Sequence, residues 1–131
     1  MRRLQWLTSA GIVAIHRELI TRYGGMPGIR APESLESVVS RPKHLAAYKS
    51  KSTVPDLAAA YAWGLLRNHP FLDGNKRIAL ASMVAFLDLN GWELTCSEAE
   101  ETAMILRAAA GEINESAWRG WVVESTARRK G

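Results

Sequence analysis

Nine consecutive residues concentrate the chemistry of this chain: His69-Pro70-Phe71-Leu72-Asp73-Gly74-Asn75-Lys76-Arg77. They bring an imidazole, a carboxylate, a carboxamide, an ammonium and a guanidinium onto one short stretch, immediately before a strongly apolar segment. A charged loop leading into a core helix is costly unless its charges meet something. Gly74 lets a ligand approach the backbone, and the free N–H groups of a helix starting at Asn75, with the positive end of its dipole, suit an anion such as phosphate. Lys76 adds a point charge and Arg77 a planar fork. Asp73 is the type of group that holds Mg²⁺ against phosphate oxygens. His69, as an imidazole, is suited to take a proton from a nucleophilic hydroxyl. These residues point to phosphate-group transfer from a nucleotide to a hydroxyl. Singly, each has a plainer use: a structural histidine, an Asp-Gly turn, an Asn cap, a solvated Lys-Arg pair. Their combination in this order is what favours chemistry.

The surrounding elements are those of a helical protein. Ile12, Ile15, Leu19 and Tyr23 recur at helical spacing behind Thr8 or Ser9, and Gly24-Gly25-Met26-Pro27-Gly28 ends that helix. Pro32 opens a short second helix carrying Leu35, Val38 and Val39, with a break expected at Ser40-Arg41-Pro42. Residues 43–54 show no sustained period and are expected to form an exposed loop or small hairpin. Thr53 to Asp56 begins a third helix, which Pro70 forces to end near Asn68. Asn75 to Leu89 is apolar nearly all round and is expected at the centre of the domain. Asn90-Gly91 stops it. Ser97-Glu98-Ala99-Glu100 has the capping-box pattern of a fifth helix ending near Gly111, and Asn114 caps a sixth bearing Trp118, Trp121 and Val122. No alternating run is long enough to predict a sheet. The fold class is therefore all-α, in one domain over residues 1–131, with about six helices and a small flap or loop.

Composition bounds the function. The 131 residues are 47% hydrophobic and 23% charged, enough for a core and against wholesale disorder. The single cysteine, Cys96, forms no intrachain disulfide, and no Cys/His set has zinc spacing, which favours a cytoplasmic protein. The longest nearly apolar run, Ile78–Leu87, falls short of the roughly 20 residues that span a bilayer. Met1-Arg2-Arg3 is expected to start the folded domain rather than a signal peptide, because Gln5, Thr8 and Ser9 interrupt the apolar stretch behind it. A net charge of +4 is compatible with nucleic acid, nucleotide phosphates or an acidic partner. Basic residues crowd at Arg41, Lys43, His44, Lys49 and Lys51 and again at Arg128-Arg129-Lys130, the latter expected as a solvated tail. A nucleic-acid reader lacks a recognition helix, since the helix after Asn75 is too apolar to lie in a groove. The five tryptophans, Trp6, Trp63, Trp92, Trp118 and Trp121, are expected as packing anchors, with part of a partner groove as the alternative for the last two. Cys96 is expected to be inert.

The segment His69–Arg77 resembles the Fic/Doc signature H-x-F-x-[D/E]-[G/A]-N-[K/G]-R, a long and specific match. Gly28-Ile29-Arg30, Leu35-Glu36-Ser37, Arg41-Pro42, Asp56 with Tyr61, and the stretch from Asn68 to Leu94 resemble the Doc (death-on-curing) branch, so the likeness covers most of the chain. The resemblance implies a helical Fic/Doc fold and ATP with Mg²⁺ as cofactors. By the same resemblance His69 is the general base, Asp73 places Mg²⁺ or orients the base, and Gly74, Asn75, Lys76 and Arg77 hold phosphates. Phe71 is expected as a buried anchor of the loop. Residues 43–54 fall where the family has a flap, which implies substrate contacts from Lys49 or Lys51.

Fic adenylyltransferases typically carry a second glycine and a final arginine where this sequence has Lys76 and Leu80. Doc-type proteins share both changes and, as the resemblance implies, transfer the γ-phosphate of ATP to a threonine of elongation factor Tu, arresting translation. AMP transfer is the alternative within the family, and a non-catalytic nucleotide sensor the alternative outside it. The inhibitory pattern [S/T]-x-x-x-E-[G/N] is absent from this sequence, because no glutamate precedes Gly or Asn. The resemblance then implies inhibition by a separate antitoxin with a Phd-like C-terminal segment. From the residues themselves, no direct nucleic-acid or membrane partner is expected.

Overall fold

The computed structural model describes residues 3–49 and 51–130. Among these, six helices follow in order: α1 (Ser9–Tyr23), α2 (Pro32–Tyr48), α3 (Val54–Asn68), α4 (Asn75–Leu89), α5 (Glu98–Ala109) and α6 (Glu115–Glu124). Two strands, β1 (Trp92–Leu94) and β2 (Thr126–Arg128), complete the elements. The all-α expectation holds, with one addition. The strands pair antiparallel, Trp92 opposite Arg128 and Leu94 opposite Thr126. Three-residue strands are too short to leave an alternating signature, which is why the sequence pattern shows none.

α3 is the centre of the molecule. Its buried residues run from Pro55 to Leu66 with only Asp56 and Trp63 partly open, and it packs against α2, α4, α5 and α6. Ala58, Ala59, Ala60, Ala62 and Gly64 supply the small side chains that let neighbouring helices come close; a Cβ on Gly64 would meet Val38 Cγ2 at 3.4 Å. This corrects the placement of α4. Its residues Ile78, Ala79, Ser82, Met83, Phe86 and Leu87 are buried, but Val84 and Leu89 are exposed. An apolar surface all round marked a helix with one face on α3 and another along surface grooves.

Local chemistry starts most helices. Thr8, Ser97 and Asn114 each accept an N–H of the following turn, and Thr53 forms a reciprocal capping box with Asp56. At Ser97 only the forward half is present: the Glu100 carboxylate instead accepts the indole N–H of Trp121 at 2.8 Å.

Two other expectations are corrected. α2 does not break at Ser40-Arg41-Pro42 but runs through Pro42 to Tyr48. The proline forfeits one helical hydrogen bond, yet its ring is buried along with Leu35 and Val38, and Arg41 pairs with Glu115 at 2.6 Å. Packing thus outweighs the breaker, and the first half of the expected 43–54 loop, residues 43–48, is the last part of α2. Residue 50 lies outside the described residues, as do Met1, Arg2 and Gly131. The basic end of the chain is no free tail: Arg128 lies in β2 over the Trp92 ring, and Arg129 pairs with Asp88 at 2.7 Å.

The tryptophans act as anchors. Trp118 is fully buried and donates its indole N–H to Ala59 O at 3.1 Å, while Trp6, Trp63, Trp92 and Trp121 pack partly buried against the core. No helix among the described residues is long and apolar enough to cross a membrane.

Candidate active site

The loop between α3 and α4 is built around a turn that the chain makes reluctantly. α3 closes on His69, whose φ of 44° and ψ of 59° put it in the left-handed region. Among the described residues it is the one non-glycine with positive φ. A Cβ makes that region unfavourable by about 1–2 kcal/mol, so neighbouring contacts must hold it. Pro70 and Phe71 are buried behind it, while the His69 side chain is exposed.

Beneath the loop lies a residue that sequence reasoning passed over. His16, on α1, is 3% exposed and donates from Nε2 to the Asp73 carbonyl at 2.8 Å. Its ring stacks on Phe71 with centroids 3.8 Å apart and planes 12° off parallel. Phe71 is thus the expected buried anchor, and His16 is what it is anchored to. In sequence the one hint was a histidine between Ile12 and Leu19 on the apolar side of α1.

Asn75 is the first residue of α4, not its cap. Its carboxamide spans the loop, accepting the Phe71 N–H at 3.2 Å and donating to the Phe71 carbonyl at 2.9 Å. Asp73 reaches across to the 24–28 loop: one oxygen accepts the Met26 N–H at 3.0 Å and the other the Gly74 N–H at 2.8 Å. These two backbone donors, Met26 first, together with the nearby Arg77 and His16 charges, hold the Asp73 carboxyl below the usual carboxylate range. Asp73 is therefore ionised at neutral pH. The 24–31 loop also pairs with the motif through Arg30 N–H to Pro70 O and Leu72 N–H to Gly28 O.

Gly74, with φ of 76°, is the N-cap of α4, and no side chain caps the helix. Its first turn carries no acidic residue but holds Lys76 and Arg77. That is the reverse of what the helix dipole favours. Uncapped N–H groups, the positive helix end and two basic side chains converge on one place.

They face a cleft of about 670 Å³. One wall is the motif: His69, Asp73, Gly74, Asn75, Lys76 and Arg77 all line it, followed by Leu80. The other is the α5 face of Thr102, Ile105, Leu106 and Ala109. The cleft lies within the size range of small-molecule sites, with polar groups converging on one apolar wall. Arg77 also stands over the Tyr23 ring at 5.0 Å, at the mouth of a shallower groove of about 460 Å³ between α1 and α4. Lys49 and Lys51 are not brought to this cleft. They line separate depressions beside Asp56 and Arg119.

Mg²⁺ fits the residues present only in a particular way. No group of three or more His, Cys, Asp or Glu among the described residues can hold a metal. Asp73 offers one ionised carboxylate at the cleft, each oxygen using one lone pair on an N–H. A single carboxylate completed by waters and substrate phosphates is an ordinary arrangement for Mg²⁺.

Cys96 is partly buried, and burial, followed by Glu101 and Glu100, raises its thiol pKa, consistent with the inert role expected for it.

Comparison with known proteins gives a consistent family. The model of the Fic/DOC family matches residues 6–87. The chain is 36% identical over 105 residues to "Protein kinase doc" of Escherichia phage P1, covering 80% of this chain and 82% of that protein. It is 39% identical over 75 residues to "Toxin Doc" of Mycolicibacterium smegmatis, covering 55% of this chain and 56% of that one.

Proposed function

The chain belongs to the Fic/DOC family, and from that premise we propose that it is the toxin of a toxin–antitoxin pair, transferring the γ-phosphate of ATP to a serine or threonine hydroxyl of a translation protein such as elongation factor Tu. The observation that carries this reading is the uncapped, basic start of α4 facing the same cleft as His69 and Asp73. A polyanion placed there would meet the Gly74–Arg77 backbone and the Lys76 and Arg77 side chains, which neutralise charge where it develops in phosphoryl transfer. His69, exposed at the cleft edge, takes the proton of the acceptor hydroxyl. Asp73 would hold Mg²⁺, which would supply positive charge to offset that of the phosphates. Asn75 and His16 keep the loop in shape, and the α5 wall of Ile105, Leu106 and Ala109 offers an apolar bed for the base of the nucleotide.

Transfer of the γ-phosphate rather than AMP is supported by Lys76 and Leu80, which both line the cleft. The lysine stands where the adenylyl-transferring pattern has glycine, and the leucine where it has a phosphate-binding arginine. The name of the phage relative, a protein kinase, agrees. An antitoxin inhibiting in trans follows from the toxin reading and from the missing inhibitory glutamate motif.

Controlled expression in a bacterial host tests the toxin reading. Wild-type chain should stop growth and incorporation of labelled amino acid into protein, and His69→Ala should do neither. Normal growth with abundant, folded wild-type protein, in a host free of any antitoxin, contradicts it.

A further inference from the structure

We propose that Arg30 is a positioning residue for His69, its guanidinium clamping the end of α3 so that the imidazole is held at the cleft. His69 is disfavoured twice over where it sits. A side chain with a Cβ avoids the left-handed region, and a residue before proline is pushed toward extended backbone. Left to these preferences, the 69–70 step would relax to an extended form and swing the ring away from the direction it now takes. Three hydrogen bonds from one residue oppose that relaxation. Arg30 Nε donates to His69 O at 2.8 Å, its Nη2 to Asn68 O at 2.8 Å, and its backbone N–H to Pro70 O at 2.7 Å. Three successive carbonyls, at 68, 69 and 70, are thus tied to a single arginine.

The fork is spent wholly on this task. Among the described residues Arg30 forms no ion pair with a carboxylate. A cation at a helix C-terminus is favourable in itself, and the planar guanidinium reaches two adjacent carbonyls, which an ammonium cannot do with the same fixed geometry. The neighbouring Gly24, Gly25 and Gly28 all have positive φ, so the loop that carries Arg30 is itself shaped to bring it here.

The proposal rests on His69 acting as the base, but its conformational half can be tested apart from that reading. Arg30→Gln removes the charged fork, and Arg30→Lys keeps the charge with one donor point. The chain has three histidines, so their ring signals in a ¹H–¹³C spectrum are few, and His69→Gln assigns the relevant one. In Arg30→Gln the His69 ring and ¹³Cα signals should shift while those of His16 and His44 stay. Transfer of γ-labelled phosphate from ATP into bacterial lysate protein should fall about tenfold in maximal rate, with the half-saturating ATP concentration changed less than about twofold, as a misplaced but present base requires. Arg30→Lys should lie between. His69 signals superimposable on the wild type overturn the clamp whatever the rate does. Shifted signals with an unchanged rate overturn the positioning role. If the wild type itself transfers no label, the kinase reading fails, and the His69 signals alone then decide whether the clamp exists.

Discussion

Replacing His69 with glycine should make the protein more stable and inactive at once. The residue sits at φ 44°, ψ 59° with its side chain exposed, so little packing is lost on truncation. Removing the Cβ relieves the left-handed penalty of about 1–2 kcal/mol. Against this, glycine gives the unfolded chain extra freedom worth roughly 0.5–1 kcal/mol. The balance is a gain of about 0.5–1 kcal/mol, or a few degrees in Tm for a chain of this size. His69→Ala retains the strained backbone and should stay within about 0.5 kcal/mol of the wild type. Urea unfolding of the three proteins at neutral pH measures the difference, and label transfer from ATP measures the loss of activity in both variants. Such a divergence between stability and activity is expected where a strained residue serves chemistry rather than the fold. Glycine lowering stability by more than about 1 kcal/mol would refute the reasoning, because the imidazole would then be holding the structure together. Retained transfer would refute the base.

Two further perturbations test the supports of the site. His16→Phe keeps a flat ring on Phe71 but leaves the Asp73 carbonyl without its donor, so stability should fall by about 1–3 kcal/mol; an unchanged urea midpoint would show that this hydrogen bond does not hold the loop. Tyr61 is fully buried, accepts the Leu7 N–H at 3.2 Å, and burial pushes its hydroxyl up to about 12. A proton held more tightly in the folded state gives stability that is intact below the unfolded value near 10 and is lost as pH rises through 12, amounting to about 3 kcal/mol. Urea unfolding from pH 9 to 12 should therefore show wild type losing stability faster than Tyr61→Phe. Parallel curves would mean that Tyr61 ionises as it does in the unfolded chain.

How much of this was legible in the sequence depends on whether a feature is local. The caps at Thr8, Thr53, Ser97 and Asn114 announce their helices because each acts within one turn. The end of α3 at Asn68 is equally local, dictated by Pro70. Pro42 misleads for the opposite reason: its local preference is to break, and burial against the core decides otherwise. The central position of α3 rather than α4 turns on small residues, which carry no strong hydropathy signal yet allow close packing on several sides. The cleft-facing residues His69, Asp73, Gly74, Asn75, Lys76 and Arg77 fall within nine consecutive positions, so their convergence is readable from the chain. Their supports are not. His16 and Arg30 act from 57 and 39 residues away, and nothing in their own surroundings distinguishes them from a helix-face histidine and a loop arginine. Asn75 shows a subtler limit, since its type suited a cap or a phosphate ligand, and the structure employs its carboxamide as a brace across the loop.

The central claim, that this cleft moves the γ-phosphate of ATP onto a protein hydroxyl, is tested most directly by the position of a label. Purified chain with Mg²⁺ is given ATP labelled at the α- or the γ-phosphate, with a bacterial lysate as the source of acceptor. Label is expected on a protein band the size of elongation factor Tu from γ-labelled ATP alone, and on no band with His69→Ala. Label arriving from the α-position would contradict it, establishing nucleotidyl transfer in spite of Lys76 and Leu80.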